Sequence, residues 1–112
     1  MGLTFKEDVP DLRNSKVIDI VRELAAFGLS VQIHDPLASP RDAKREFGLE
    51  LVDENDLKPA DAVVLAVPHK TYRERGWPLV ETLLQDRKGL VLDVRGALPR
   101  HLQPENLELW RM

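Results

Sequence analysis

The sequence predicts a three-layer α/β/α domain built on a mainly parallel sheet of five or six strands. Short apolar runs typical of buried strands alternate with segments of helical periodicity about ten residues long. The run Ala62 to Val67 is apolar on both faces, as expected of a central strand in a parallel sheet. The 112 residues of the chain suffice for one core and are too few for two independent domains. We therefore expect a single domain covering residues 1–112, with right-handed βαβ crossovers.

Three segments carry helical signals. Apolar positions recur at helical spacing over about Ser15–Phe27 and stop at Gly28, a residue that readily ends a helix. The run Ser39-Pro40-Arg41-Asp42 supplies an N-cap, a proline at the first helical position and an acid in the first turn, and Gly48 closes this short helix. A further helix is expected over Pro78–Gln85.

The remaining apolar runs predict the strands. They are a first strand ending before Lys6, then Leu29–His34, a minor strand at Leu49–Val52, Ala62–Val67, Gly89–Asp93 and an edge strand at Leu107–Trp110. A Rossmann-like order 3-2-1-4-5 would place the first strand beside Ala62–Val67. The switch point of the sheet would then lie between these two strands.

Composition excludes several function classes. The formal net charge of −3 is modest and of mixed sign, so nucleic acid and anionic membranes are not favoured partners. The chain has no cysteine, hence no disulfide, thiolate metal ligand or cysteine nucleophile. No apolar run is long enough to span a bilayer, and the first residues lack the apolar region of a signal peptide. We expect a soluble, cytoplasmic protein.

Polar residues follow four of the predicted strands. They are Lys6-Glu7-Asp8, His34-Asp35-Pro36, Pro68-His69-Lys70 and Asp93-Val94-Arg95-Gly96. Ligands of open parallel sheets bind beyond the carboxyl ends of the strands. In the predicted order Lys6, His69 and Arg95 could converge on one crevice, where two cations and an imidazole would suit a diphosphate.

The opening segment carries a resemblance to a known family. Gly2-Leu3-Thr4-Phe5-Lys6-Glu7-Asp8-Val9-Pro10-Asp11-Leu12-Arg13-Asn14-Ser15 closely resembles the signature that opens the C-terminal UDP-binding domain of the UDP-glucose/GDP-mannose dehydrogenase family. Val67-Pro68-His69-Lys70 resembles the branch acting on UDP-N-acetylhexosamines. The resemblance implies a domain excised from a larger NAD-dependent oxidoreductase of polysaccharide biosynthesis, which oxidises a UDP-hexose or UDP-N-acetylhexosamine to the uronic acid. The implied partners are a UDP-sugar and the N-terminal NAD-binding and central domains of a homo-oligomeric enzyme.

The resemblance also assigns site residues. It implies that Phe5 contacts the nucleotide sugar through its main chain, that Lys6 directs its ammonium at phosphate or sugar oxygens, and that Arg95 lies near the substrate. Arg13, in the Asp-x-Arg-x-Ser pattern, would reach the NAD held by the N-terminal domain. Each has a local alternative, since Lys6 can be a solvated lysine beside two acids and Arg13 can form a helix-start salt bridge with Asp11.

Catalytic and metal-binding roles are not expected in this chain. His69 is better interpreted as a packing or hydrogen-bonding residue than as a general base, and His34, Asp35 and His69 lack close ligand spacing on one element. The Gly-x-Gly-x-x-Gly fingerprint for NAD and the family's catalytic cysteine are both absent. The chain alone should therefore be inactive and bind no cofactor. A stand-alone nucleotide-binding module and a regulatory or scaffolding α/β domain remain the alternatives.

Overall fold

The computed structural model describes residues 1–4, 8, 10–12 and 15–111 as a mixed α/β domain. The helices are α1 (Val17–Ala26), α2 (Pro40–Phe47) and α3 (Lys70–Leu83), and the strands are β1 (Ala62–Leu65), β2 (Gly89–Asp93) and β3 (Leu107–Arg111). Short 3₁₀ helices lie at Glu54–Asp56, Gln85–Arg87 and Arg100–Leu102. The predicted α/β class is confirmed.

The three strands form one parallel sheet in the order β1-β2-β3. Val63 pairs with Val91, which pairs in turn with Leu109, so these three residues share one face of the sheet. The predicted bounds of β2 are confirmed, and β3 is one residue longer than expected. β2 is the middle strand of these three, and the predicted five- or six-stranded order stays a prediction.

Backbone hydrogen bonds continue beyond the β1 edge of this sheet. The Met1 nitrogen donates to Val64 O at 2.8 Å, and Ala66 N donates to Met1 O at 2.9 Å. Gly2 N donates to His34 O at 2.8 Å. The first residues of the chain therefore lie between β1 and the segment that ends at His34.

The predicted strands Leu29–His34 and Leu49–Val52 are reduced to a single parallel bridge between Ile33 and Leu51. Val52 N donates to Ile33 O at 2.7 Å beside this bridge. The segment turns at Asp35-Pro36, where the proline supplies no N–H for a ladder.

The end signals of α2 act as predicted. Ser39 Oγ accepts from Asp42 N at 3.2 Å, Pro40 occupies the first helical position, and Gly48 ends the helix at φ 67°. That positive φ is the left-handed conformation that favours glycine after a helix.

α3 begins eight residues earlier than the helix predicted from Pro78. It contains a break at Gly76 (φ 54°, ψ −140°), followed by a second half that starts with Trp77-Pro78. In the first half only Tyr72 is buried, so that half shows no apolar period in the sequence.

Two separate apolar clusters hold the fold together. One joins α3 to the sheet and contains Val63, Leu65, Tyr72, Trp77, Leu79, Val80, Leu84, Val91, Leu98 and Leu107. The other surrounds α1 and α2 and contains Leu3, Leu12, Ile18, Val21, Ile33, Ala38 and Ala43. Among the described residues, no helix combines the length and apolar character needed to cross a membrane.

Candidate functional site

Four buried polar side chains follow extended segments at the edge where a parallel sheet binds ligands. They are Thr4, Asp35, His69 and Asp93, each less than a tenth exposed. In the described part of the chain, every buried side-chain nitrogen or oxygen has a hydrogen-bond partner. These groups therefore support the loops around the edge instead of facing a ligand themselves.

The Asp35 carboxylate organises the centre of this edge. Its Oδ2 accepts from Leu3 N at 2.6 Å and from Thr4 N at 3.2 Å, and its Oδ1 accepts from Leu37 N at 2.8 Å and Ala38 N at 3.0 Å. Burial alone would raise the pKa of Asp35. The hydrogen bonds, the strongest of them from His69, outweigh burial and hold the pKa well below the ordinary value.

His69, which is 1% exposed, uses both ring nitrogens inside the protein. Nδ1 accepts from Asp8 N at 2.9 Å, while Nε2 lies 2.8 Å from Asp35 Oδ2 and 3.2 Å from Thr4 Oγ1. The sequence-based interpretation of His69 as a packing and hydrogen-bonding residue is confirmed. The expectation that its imidazole joins Lys6 and Arg95 in a ligand crevice is wrong, because both ring nitrogens bond inside the protein and neither is left for a ligand.

Asp8 attaches the opening segment to the start of α3. Its Oδ1 accepts from Lys70 N at 2.6 Å, and its Oδ2 accepts from Arg73 Nη2 at 3.2 Å. The bond from the Lys70 amide is the largest of the effects that lower the pKa of Asp8, and Arg73 adds to it. Arg73 also donates to Pro68 O. A carboxylate at a helix N-terminus is favourably placed for the unsatisfied amides there.

Ser15 joins the far end of the opening segment to its beginning. Its Oγ donates to Leu3 O at 2.5 Å and accepts from Val17 N at 3.3 Å. Leu3 and Ser15, which are 12 positions apart in the sequence, are therefore neighbours in space. Lys16 is the N-cap of α1 and makes no side-chain cap hydrogen bond, so the bond from Val17 N to Ser15 lies one residue before the cap.

Arg95 lies in an exposed turn shaped by Asp93 at the end of β2. The fully buried Asp93 accepts from Ala97 N at 3.0 Å and from Leu98 N at 2.8 Å. Val94 N donates to Leu65 O at 3.1 Å, so the turn starts beside the end of β1. Arg95 thus occupies the edge of the sheet at which ligands of parallel sheets bind.

His34 and Tyr72 form a second polar pair next to this edge. Tyr72 Oη donates to His34 O at 3.0 Å, and His34 Nδ1 lies 2.7 Å from Tyr72 Oη. Because the hydroxyl proton is used for the carbonyl, Nδ1 acts as the donor to the tyrosine oxygen. Burial lowers the pKa of His34 and raises that of Tyr72, so both are neutral near pH 7.

The other residues predicted for the site, Phe5, Lys6 and Arg13, lie outside the described residues. Their roles stay predictions, as does that of Arg95. Within the described ranges, no group of three or more histidine, aspartate or glutamate side chains is arranged to hold a metal ion.

The sequence reasoning missed the supporting network of Thr4, Asp8 and Asp35. A signal was present, since each is a short polar residue at or just beyond the end of a predicted strand, where side chains often bond to backbone amides. Sequence alone does not show that three distant segments meet at one histidine.

Comparison with known proteins identifies the family of this chain. Residues 1–100 match the family described as UDP-glucose/GDP-mannose dehydrogenase family, UDP binding domain. Protein CapL of Staphylococcus aureus is 44% identical over 112 residues, which is 100% of this chain and 26% of CapL.

Two further relatives share one name. UDP-N-acetyl-D-glucosamine 6-dehydrogenase of Pseudomonas aeruginosa is 47% identical over 76 residues, covering 68% of this chain and 18% of the relative. The protein of that name from Salmonella typhi is 34% identical over 99 residues, covering 88% and 23%. The chain spans about a quarter or less of the length of these relatives. It belongs to the UDP-glucose/GDP-mannose dehydrogenase family and corresponds to that family's UDP binding domain.

Proposed function

We propose that this chain is the UDP-sugar half-site of an NAD-dependent nucleotide-sugar 6-dehydrogenase, which oxidises a UDP-hexose or UDP-N-acetylhexosamine to the uronic acid. The observation that carries the proposal is the family match over residues 1–100. The names of the relatives favour the N-acetylhexosamine branch. The proposed localisation of the enzyme is cytoplasmic.

The proposed contacts are those of cations with a diphosphate. Lys6 directs its ammonium at phosphate or sugar oxygens, Phe5 contributes main-chain groups, and Arg95 approaches from the turn after β2. Charge-assisted hydrogen bonds to phosphate are stronger than bonds between neutral groups. The position of Arg95 beside the end of β1 supports this assignment.

The chemical step belongs to other parts of the enzyme. NAD, when bound by the N-terminal domain, supplies the hydride acceptor, and Arg13 reaches toward that cofactor. This chain contributes no catalytic residue and holds the nucleotide so that the reacting carbon of the sugar is correctly placed. Binding energy from the remote nucleotide is thereby used for orientation.

We also propose that the sheet extends past β1 in the predicted order 3-2-1-4-5. In this order strand 1 is the opening segment, strand 2 is Leu29–His34 and strand 3 is Leu49–Val52, while strands 4 and 5 are β1 and β2. The backbone bonds from Met1 to β1 and from Gly2 to His34, together with the Ile33 to Leu51 bridge, support this order. It would bring the opening segment and the end of β1 to the switch point, where nucleotides bind in such sheets.

Exposed apolar residues favour contact with other domains or subunits of the same enzyme. Phe27 is 78% exposed and Trp110 is 57% exposed, whereas Trp77 is buried. A groove of about 470 Å³ beside α1 is lined in part by Leu24, Leu29 and Val64. Contiguous exposed apolar patches mark protein contacts. A regulatory or scaffolding role without nucleotide binding is the second candidate, and the same residues favour it.

The test is a titration of the 112-residue chain with UDP and a UDP-sugar, with GDP and NAD as controls, followed by amide NMR shifts. We expect UDP to perturb residues 5, 6 and 95, and NAD to leave them unchanged. Lys6→Ala and Arg95→Ala should each weaken UDP binding about tenfold or more. Lys44→Ala, which removes an equivalent exposed charge from α2, should leave binding unchanged. Silence at millimolar UDP, together with a stable oligomer, would favour the scaffolding role.

A further inference from the structure

One buried side chain, that of His69, lies next to the opening segment on both sides of the residues proposed to bind the nucleotide sugar. His69 lies 3.2 Å from Thr4 Oγ1 through Nε2 and accepts the amide proton of Asp8 at 2.9 Å through Nδ1. Only three residues separate Thr4 from Asp8 in the chain, and Phe5 and Lys6 are two of them. No residue of this short stretch is more than two positions from Thr4 or Asp8.

The hydrogen bonds specify the form of the imidazole. Because the Asp8 amide can only donate, Nδ1 must carry a lone pair, and the ring proton of a neutral histidine then lies on Nε2. That N–H donates to Asp35 Oδ2 at 2.8 Å. A buried carboxylate thus sets the tautomer and the orientation of the ring.

Asp35 also holds the chain directly before the segment. The same Oδ2 accepts from the amides of Leu3 and Thr4, so the carboxylate, the imidazole and the entering backbone form one network. All of the network except Asp8 is buried, and its groups have well-defined partners. The positions of Thr4 and Asp8, on either side of residues 5–7, are therefore set by internal hydrogen bonds before any ligand arrives.

We infer that His69 is a positioning residue for nucleotide-sugar binding, which acts by fixing Asp8 after the Phe5-Lys6 pair while Asp35 holds Thr4 before it. The inference rests on the proposed function of the Phe5-Lys6 pair. Fixing a loop in its binding conformation reduces the ordering cost at binding. The Asp8 contact, and not the Asp35 contact, is the one that affinity should follow.

Two substitutions separate these contacts. In His69→Gln the side-chain amide reaches the position of Nε2 and can donate to Asp35, but nothing replaces Nδ1. In His69→Asn the amide oxygen takes the position of Nδ1 and can accept from Asp8, but the bond to Asp35 is lost. Calorimetric titration with UDP and urea unfolding are measured for both variants of the 112-residue chain. Tyr72→Phe, which removes a buried hydroxyl next to His34, is the matched control.

We expect His69→Gln to weaken UDP binding about tenfold, the equivalent of one lost hydrogen bond. His69→Asn should bind within about threefold of the unaltered chain, although it unfolds at lower urea, because it leaves Asp35 with one donor fewer. Tyr72→Phe should lose stability without losing affinity. Affinity that simply follows stability across the three variants, with His69→Asn the weakest binder, would overturn the inference.

A measurement on the unaltered chain needs no variant to fold. A scalar coupling across the hydrogen bond between the Asp8 amide nitrogen and His69 Nδ1, with ring shifts of the Nε2–H tautomer, is the expected result. Its absence, or the opposite tautomer, overturns the inference. If the unaltered chain binds UDP and His69→Gln binds it equally well, the positioning role fails while the proposed function stands. If the unaltered chain does not bind millimolar UDP, the proposed function itself fails, and the inference with it.

Discussion

Gly2 is the position where the structure leaves least room for a side chain. A Cβ built there would lie 2.6 Å from both the Cβ and the carbonyl oxygen of Val67, and 2.7 Å from Val67 N. Carbon atoms in contact prefer about 3.5–4.0 Å, and two of these neighbours are backbone atoms that cannot rotate away. Gly2→Ala should therefore push the opening segment off the segment that leads to His69.

The expected loss combines two effects. Gly2 has φ 86°, and placing an alanine in this region costs about 1–2 kcal/mol. Overlap with fixed neighbours adds about 1–3 kcal/mol. We expect Gly2→Ala to lower the free energy of unfolding by about 3 kcal/mol, which moves the urea midpoint by about 2 M at a slope near 1.5 kcal/mol/M. Tryptophan fluorescence reports the transition, because Trp77 is buried.

Gly28 provides the matched control. It has nearly the same backbone angle, φ 83°, but a Cβ there meets nothing within 4 Å. Gly28→Ala should therefore lose only about 1 kcal/mol from backbone strain. Equal losses for the two variants would refute the argument that contact with Val67, and not the positive φ, makes glycine necessary at position 2.

Three further predictions concern single side chains. Ser39→Ala should destabilise the domain by about 1 kcal/mol in urea unfolding, because the α2 cap is lost. The control is Ser30→Ala, and no difference between the two variants would contradict the assignment of the cap. The pKa of Asp35 is depressed in the folded state, so its stabilisation is complete above the ordinary value of 3.8 and is lost as pH falls below it. In Asp35→Asn the free energy of unfolding, measured from pH 5 downward, should lose this pH dependence. The variant should also be less stable than the unaltered chain at pH 7 by about 3 kcal/mol. An unchanged acid slope would count against the prediction. Because the pKa of His34 is lowered in the folded state, stability should rise with pH up to the ordinary value of 6.5. His34→Gln should therefore flatten the dependence of the unfolding free energy on pH below that value. A slope equal to that of the unaltered chain would exclude the effect.

The sequence was most informative where local chemistry decides the structure. The cap, proline and terminal glycine of α2 depend only on neighbouring residues, and each acts as expected. β2 was predicted to its ends because its apolar run is bounded by Gly89 and Asp93. These features need no knowledge of the distant chain.

Features that depend on distant partners were not predictable in the same way. The first half of α3 buries only Tyr72, so no apolar period marks it. The segment ending at His34 has the alternation of a strand but finds one bridge partner, Leu51, among the described residues. At the site, the polar positions after the strands were identified, whereas the burial of His69 depends on Thr4, Asp8 and Asp35 arriving from other segments.

The buried carboxylate at the end of β2 has a consequence for how this edge can diversify. Asp93 accepts hydrogen bonds from the amides of Ala97 and Leu98, so one buried side chain sets the far side of the turn. A substitution at the exposed position 95 can then alter the charge presented at this edge while Asp93 still holds the amides of Ala97 and Leu98. A domain built in this way can acquire a different specificity by surface substitution alone, without a new fold or a compensating change in its core.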